Sequence, residues 1–142
     1  MGLLNLASGN SFWRGYEYYK ASMVVSVEQI TANRYQGKVR GSGKKAYEVT
    51  IDLEHPKKST CTCPHAEGTR RICKHKVALY FSVFPEEADR ALKEAEEWEA
   101  EEEKREQERI EEIREYVNSL SKQQLREELI QRMVNEMYGK WY

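Results

Sequence analysis

Residues 61–75 read CTCPHAEGTRRICKH, and this stretch holds all three cysteines of the 142-residue chain, Cys61, Cys63 and Cys73, with His75 two positions after the last. An odd number of thiols confined to one short window argues against a disulfide framework and for metal or redox chemistry. On a β-strand, residues i and i+2 face the same way about 6.6 Å apart, so Cys61 and Cys63 can aim both sulfurs at one ion. Cys73 and His75 have the same spacing, but in mid-helix it would set them about 200° apart around the axis. They are therefore expected just before and just inside the first turn of a helix. Cys61, Cys63, Cys73 and His75 make a closed Cys3His set, which suits structural Zn2+ better than iron or copper. Three thiolates, a neutral imidazole and Zn2+ leave one net negative charge. The positive end of the following helix favours that charge, as do Arg70, Arg71, Lys74 and Lys76 around it. His65 is the competing nitrogen ligand; it sits on the looping segment 64–72, whereas His75 is held next to Cys73.

Upstream of the cluster the apolar period is two. VVSVEQI (24–30), RYQGKVR (34–40), AYEVTIDL (46–53) and STCTC (59–63) read as four strands, separated by the turn-type stretches TAN, GSGKK and EHPKK. A small antiparallel sheet is predicted, with Val24, Val39, Tyr47, Val49 and Ile51 as its core. GSGKK fails as a phosphate loop, because Lys38 and Lys45 occupy the places of the first glycine and the hydroxyl residue. It reads as a hairpin turn with two exposed lysines, Lys44 and Lys45. Before the sheet, Phe12, Tyr16, Tyr19 and Met23 recur at steps of three and four after the caps Asn10 or Ser11, which predicts a short helix with an aromatic face packed as core. After His75, Val77, Tyr80, Phe81 and Phe84 predict a second helix lying on the sheet and closed by Pro85.

From Glu86 the composition changes to helix formers free of Gly and Pro, with a charge run that interrupts the apolar seam until Ile110, Ile113 and Val117. Ser121 with Gln124 makes a capping box for a last helix whose stripe of Leu125, Leu129, Met133 and Met137 ends at Gly139 and needs something to bury against. The net charge of -1 hides a division. Residues 1–85 carry 13 Lys and Arg against 6 Asp and Glu, a net of +7, while residues 86–142 carry 10 against 18, a net of -8. Such asymmetry points to a polyanionic partner or to contact between the halves. The opening MGLLNLASGN lacks a basic n-region, Leu6 stands where myristoylation wants Ser or Thr, and no run approaches the roughly 18 apolar residues of a membrane helix. The expectation is a cytoplasmic protein with no membrane partner.

The pattern C-x-C-P, a loop, then C-K-H-x-x-A resembles the SWIM zinc finger, whose signature is CxC, a variable spacer and CxH. Cys61, Cys63, Cys73 and His75 fall on its ligand positions, with Pro64, Lys74 and Ala78 as supporting residues, and RGYEYY at 14–19 resembles the segment before the sheet in small bacterial SWIM proteins. The resemblance covers roughly residues 11–84. It implies a β-β-α arrangement around the metal and a module that binds DNA or other proteins, since SWIM domains occur with Swi/Snf-type ATPases and Mutator-type transposases. The chain is thus read as α+β: a short N-terminal helix, a small antiparallel sheet ending in a β-β-α zinc finger, and a long acidic helical extension. Its expected parts are a zinc-binding domain at 11–84, a charged helical linker or arm at 86–118 and an amphipathic helix at 121–139.

An enzyme is not expected. The one concentrated chemistry is a fully protein-ligated metal with no open position, His55 lacks a nucleophile or carboxylate partner, and no small-molecule substrate is indicated. A redox switch at Cys61 or Cys73 has no sequence sign of its own. The expected function is a zinc-binding module that grips nucleic acid through Lys57, Lys58, Arg70, Arg71, Lys74 and Lys76, with Lys38, Arg40, Lys44 and Lys45 nearby. The alternative is a protein-interaction adaptor using the C-terminal helices.

Overall fold

The alternation of residues 24–52 is realised as three antiparallel strands, β1 (Val24–Thr31), β2 (Arg34–Arg40) and β3 (Ala46–Asp52), in a computed structural model that describes residues 2–43 and 45–139. A fourth strand, β4 (Thr60–Cys61), completes a sheet of order β1-β2-β3-β4, with Val49 paired to Cys61. β4 is shorter than the predicted 59–63. The chain between β3 and β4 is taken up by a turn in which Asp52 Oδ1 accepts from the amides of Glu54 and His55, at 3.0 and 2.9 Å, and then by a 3-10 turn at Pro56–Lys58. Ser59 Oγ accepts from the Asp52 amide at 3.0 Å and pins the return. Those amide bonds to the carboxylate, the one from His55 first, hold the Asp52 carboxyl below its ordinary pKa. The turn delivers Cys61 to the sheet edge in register.

Val39, Val49 and Ile51 are buried as predicted, while Val24 and Tyr47 are half-buried against them. Two helices complete the packing. α1 (Gly9–Lys20) is capped by Ser8, whose Oγ accepts from the Ser11 amide at 3.1 Å, so the helix starts earlier than the Asn10 or Ser11 caps would place it. α2 (Lys74–Val83) packs against α1 on one side and the strands on the other. It is therefore buried nearly all round, with Val77, Ala78, Leu79 and Phe81 sealed, where the sequence predicted one apolar face. The aromatic face of α1 closes on Phe81, whose ring lies 5.6 Å from Phe12 and 6.0 Å from each of Tyr16 and Tyr19. Leu3, upstream of α1, is also sealed in this core.

Two glycines let α2 approach its neighbours. A Cβ on Gly15 would come within 2.5 Å of Val77 Cβ and 2.8 Å of the Lys74 carbonyl oxygen. One on Gly37 would collide with the Ser26 carbonyl and approach Leu79 Cδ1 to 2.8 Å. Only a bare Cα fits at either place.

α2 ends at Val83 with Phe84 as its C-cap, and Pro85, predicted to close it, opens α3 (Pro85–Ser119), with Glu86 and Glu87 at its positive end. The chain divides into two compact units, one up to Lys93 and one from Glu94. In the second, α4 (Lys122–Gly139) is opened by the predicted capping box: Gln124 Oε1 accepts from the Ser121 amide at 2.8 Å and Ser121 Oγ from the Gln124 amide at 3.2 Å. Tyr116 Oη donates to Glu128 Oε1 at 3.3 Å where α3 and α4 meet. The expectation that the α4 stripe buries is not met among the described residues, since Leu129 and Met133 are 61% and 62% exposed. Lys44 lies outside the described residues; Lys45 is exposed in its turn. No helix among the described residues is long and apolar enough to cross a membrane.

Gly15→Ala and Gly37→Ala are each expected to destabilise the first unit by about 1–3 kcal/mol through overpacking, even though alanine is the better helix former at position 15. Gly9→Ala, with nothing within 4 Å of its added Cβ, serves as the control. Denaturant midpoints of the three variants check this; equal midpoints would show that α2 tolerates wider spacing.

Candidate metal centre

The four predicted ligands converge although they come from three kinds of local structure. Cys61 ends β4 and Cys63 follows it in a turn, where its amide lies 3.5 Å from the Cys61 sulfur. Cys73 is the N-cap of α2 and His75 its second residue, the placement that their spacing demanded. The three sulfurs and one imidazole nitrogen lie within 4.8 Å of one another, and all four residues are buried. His75 presents Nδ1, at 3.8 Å from the Cys61 sulfur and 3.9 Å from the Cys73 sulfur. A tetrahedral zinc with ordinary bond lengths spaces such donors about 3.5–3.8 Å apart, so the set fits the ion with a slight contraction. His65 is exposed and stands outside the cluster.

The spacer is folded rather than free. The Cys63 carbonyl accepts from the amides of Ala66 and Glu67, and Thr69 ties back to the Ala66 carbonyl through both its amide and its hydroxyl. Gly68 takes the left-handed conformation, with φ of 74°, that this reversal requires. Ala66 and Ile72 anchor the loop in the core, which leaves Arg70 and Arg71 exposed between them.

Electrostatics match a metal centre. The Cys61 thiol hydrogen-bonds to Cys73, and this bond, followed by burial, pushes the Cys61 pKa up. The same bond lowers Cys73 to about 3, burial opposing it and His75 and the Lys76 amide at the start of α2 adding to it. Cys73 is thus the favoured thiolate, first through its bond to Cys61 and then through His75 and the helix end. Outside the ligands, the His75 ring is flanked by two aromatics, Tyr47 at 4.8 Å and Tyr18 at 5.6 Å between centroids. Its Nε2 is buried without a hydrogen-bond partner among the described residues, so the rings hold the imidazole in place of the usual carboxylate or carbonyl.

Lys76 corrects the sequence reading. It is fully buried, and its Nζ donates to the Arg71 carbonyl at 2.6 Å. Burial lowers its pKa while Cys73, Cys61 and Cys63 work to raise it. A sealed ammonium cannot reach a phosphate; it offsets thiolate charge and clasps the end of the loop. The position reads as surface from sequence because lysine almost never goes fully inside without a partner; here the partner is the Arg71 carbonyl five residues back, with the charges of Cys73, Cys61 and Cys63 nearby. Lys57, Lys58, Arg70 and Arg71 are exposed, and Lys74 is half-buried with its Nζ 4.8 Å from the Tyr18 ring centroid.

Residues 47–84 match the family model of the SWIM zinc finger. The chain carries a SWIM zinc finger. The matched span runs from the start of β3 to the end of α2 and contains all four ligands, so the finger is a zinc-binding module inserted at the sheet edge. No curated protein and no solved structure matches the chain.

One zinc per chain is expected by elemental analysis. Structural zinc supplies about 10–16 kcal/mol in finger peptides, comparable to the whole stability of a domain. Cys73→Ser should therefore abolish zinc retention and the cooperative melting of the first unit, and His75→Ala should lose or weaken the metal while His65→Ala keeps it. Full zinc in Cys73→Ser would refute the ligand set.

Proposed function

We propose that the zinc finger presents its exposed cations to nucleic acid, with Lys57, Lys58, Arg70, Arg71 and Lys74 as phosphate contacts and zinc as the element that fixes their positions. The observation that carries this reading is the loop between the metal jaws. Folded by Ala66, Thr69 and Ile72, it holds Arg70 and Arg71 outward, and neither has an acidic partner among the described residues. Unpaired guanidinium groups on a rigid loop lose little entropy on meeting a phosphate, and phosphate contacts dominate non-specific affinity for nucleic acid. The net charge of +7 on residues 1–85 supports the same partner through long-range attraction. The closed ligand set leaves the metal no position for water or substrate, which favours binding over catalysis.

A second reading, a protein-interaction adaptor, is favoured by the exposed stripe of Leu125, Leu129, Met133 and Met137 on α4. Its partner would be an amphipathic helix, since α4 is itself a single helix with a broad apolar arc.

The Arg70→Glu/Arg71→Glu double variant is expected to keep its zinc and melting midpoint but to bind short DNA and RNA more weakly. Its plot of log K against log salt should be shallower by about 0.7–0.9 for each phosphate that the variant no longer neutralises. Unchanged affinity and slope would remove the loop from the binding surface. For the second reading, Leu129→Ser/Met133→Ser should leave that nucleic-acid titration unaltered.

A further inference from the structure

The metal centre forms the floor of a groove. Cys63, Cys73 and His75 lie at its base, and its volume is about 750 Å³. One wall is the finger, with Lys57, Arg70, Arg71 and Lys74. The start of α1 also lines the groove, with Asn10, Ser11 and Arg14, residues outside the matched finger. No Asp or Glu lines this groove, whereas five permanent cations do. Arg14, Lys57, Arg70 and Arg71 have no acidic partner among the described residues.

The α1 wall adds directed donors. Ser8 Oγ takes the Ser11 amide and the Ser8 carbonyl takes that of Phe12. The first amides of the helix, those of Gly9 and Asn10, have no carbonyl one turn behind them. The positive end of the helix and the Arg14 guanidinium one turn further on thus face the same groove as Arg70 and Arg71. Cations gathered around one concave, carboxylate-free space repel one another until an anion enters, and guanidinium groups suit a phosphate best because they bind it through two parallel bonds.

We propose that this groove is a phosphate-binding site for a single strand of nucleic acid, with Arg14 and the start of α1 on one side of the strand and Arg70 and Arg71 on the other. The inference rests on the nucleic-acid reading above and extends it to residues that the family match does not include. Shape selects the single strand. A cleft of this volume is in the range that takes small molecules and has room for a phosphate and sugar, but it cannot admit a double helix, whose phosphates lie on a broad convex surface. The groove has no aromatic platform other than histidine, so the contact is to backbone and carries no base preference.

The test uses the full zinc-loaded chain and fluorescence anisotropy with a short single-stranded oligonucleotide, with and without a 5′-phosphate, beside the corresponding duplex. Arg14→Glu should weaken single-strand binding by roughly ten-fold. Lys38→Glu, the same charge change on β2 outside the groove, should weaken it much less, and Arg14→Lys should restore most of the loss. Inorganic pyrophosphate should displace the strand from the parent. A gain from the 5′-phosphate assigns the site to a strand end, and equal affinity assigns it to internal phosphates; either supports the groove. Retained zinc and melting midpoint in Arg14→Glu exclude unfolding as the cause, and Arg14→Gln provides a second check. If Arg70→Glu/Arg71→Glu weakens binding while Arg14→Glu and Arg14→Gln do not, or if the duplex binds more tightly than the strand, the groove assignment is overturned and the nucleic-acid reading survives. If none of these variants alters binding, both fall.

Discussion

Burying three thiol sulfurs and an imidazole within 4.8 Å of one another is the constraint on which the rest of this structure depends. Without a cation, the bond between Cys61 and Cys73 pushes the first thiol's pKa up and the second's down. Three thiolates can be buried together only with a cation among them, because the desolvation of unpaired charge costs far more than a small core can offset. Zinc supplies that cation and binds the sheet edge at 61–63 to the helix start at 73–75. The finger is a cross-link whose strength lies in metal bonds, which is why a β4 of two residues suffices to hold the edge.

Through α2 the same cross-link reaches the whole first unit. Its N-cap and first turn carry two ligands, its flanks carry Val77 against Gly15 and Leu79 against Gly37, and Phe81 receives the aromatic face of α1. A helix packed on all sides has no surface left to tolerate displacement, so a shift at the metal is felt at α1 and at the sheet. Lys76 belongs to this logic. A sealed lysine would be ruinous in an apolar core, yet beside thiolates it offsets charge, and its bond to the Arg71 carbonyl closes the loop that the metal opened.

Local signals made much of this legible in the sequence. The spacings of Cys61, Cys63, Cys73 and His75 fixed the ligands, because each pair constrains its own backbone. The alternation through Val39, Val49 and Ile51 fixed the inner face of the sheet, and Ser121 with Gln124 fixed the start of α4, since a capping box is a three-residue interaction. What stayed hidden needs distant partners. Nothing near Leu3 announces that it is sealed, and nothing near Arg14 that it lines one groove with Arg70 and Arg71. The length of β4 was overestimated because the Asp52 turn, which takes up the chain before it, depends on amide geometry that composition does not encode.

The centre also shapes the field of the groove above it. With zinc bound, the ligand set itself leaves one negative charge, partly offset by the buried Lys76, in a groove lined by five cations. An anion lying on the floor would meet that charge, whereas one held between the walls meets Arg14, Arg70 and Arg71 at the ends of long side chains. A strand in the proposed groove would therefore lie nearer the arginine side chains than the metal ligands, where partly hydrated guanidinium groups cost less to desolvate. A phosphate contact of that kind would weaken steeply with salt. Zinc and Lys76 thus offset the buried thiolates from within, and the net negative charge of the ligand set itself would keep a proposed outer anion on the arginines rather than on the metal ligands.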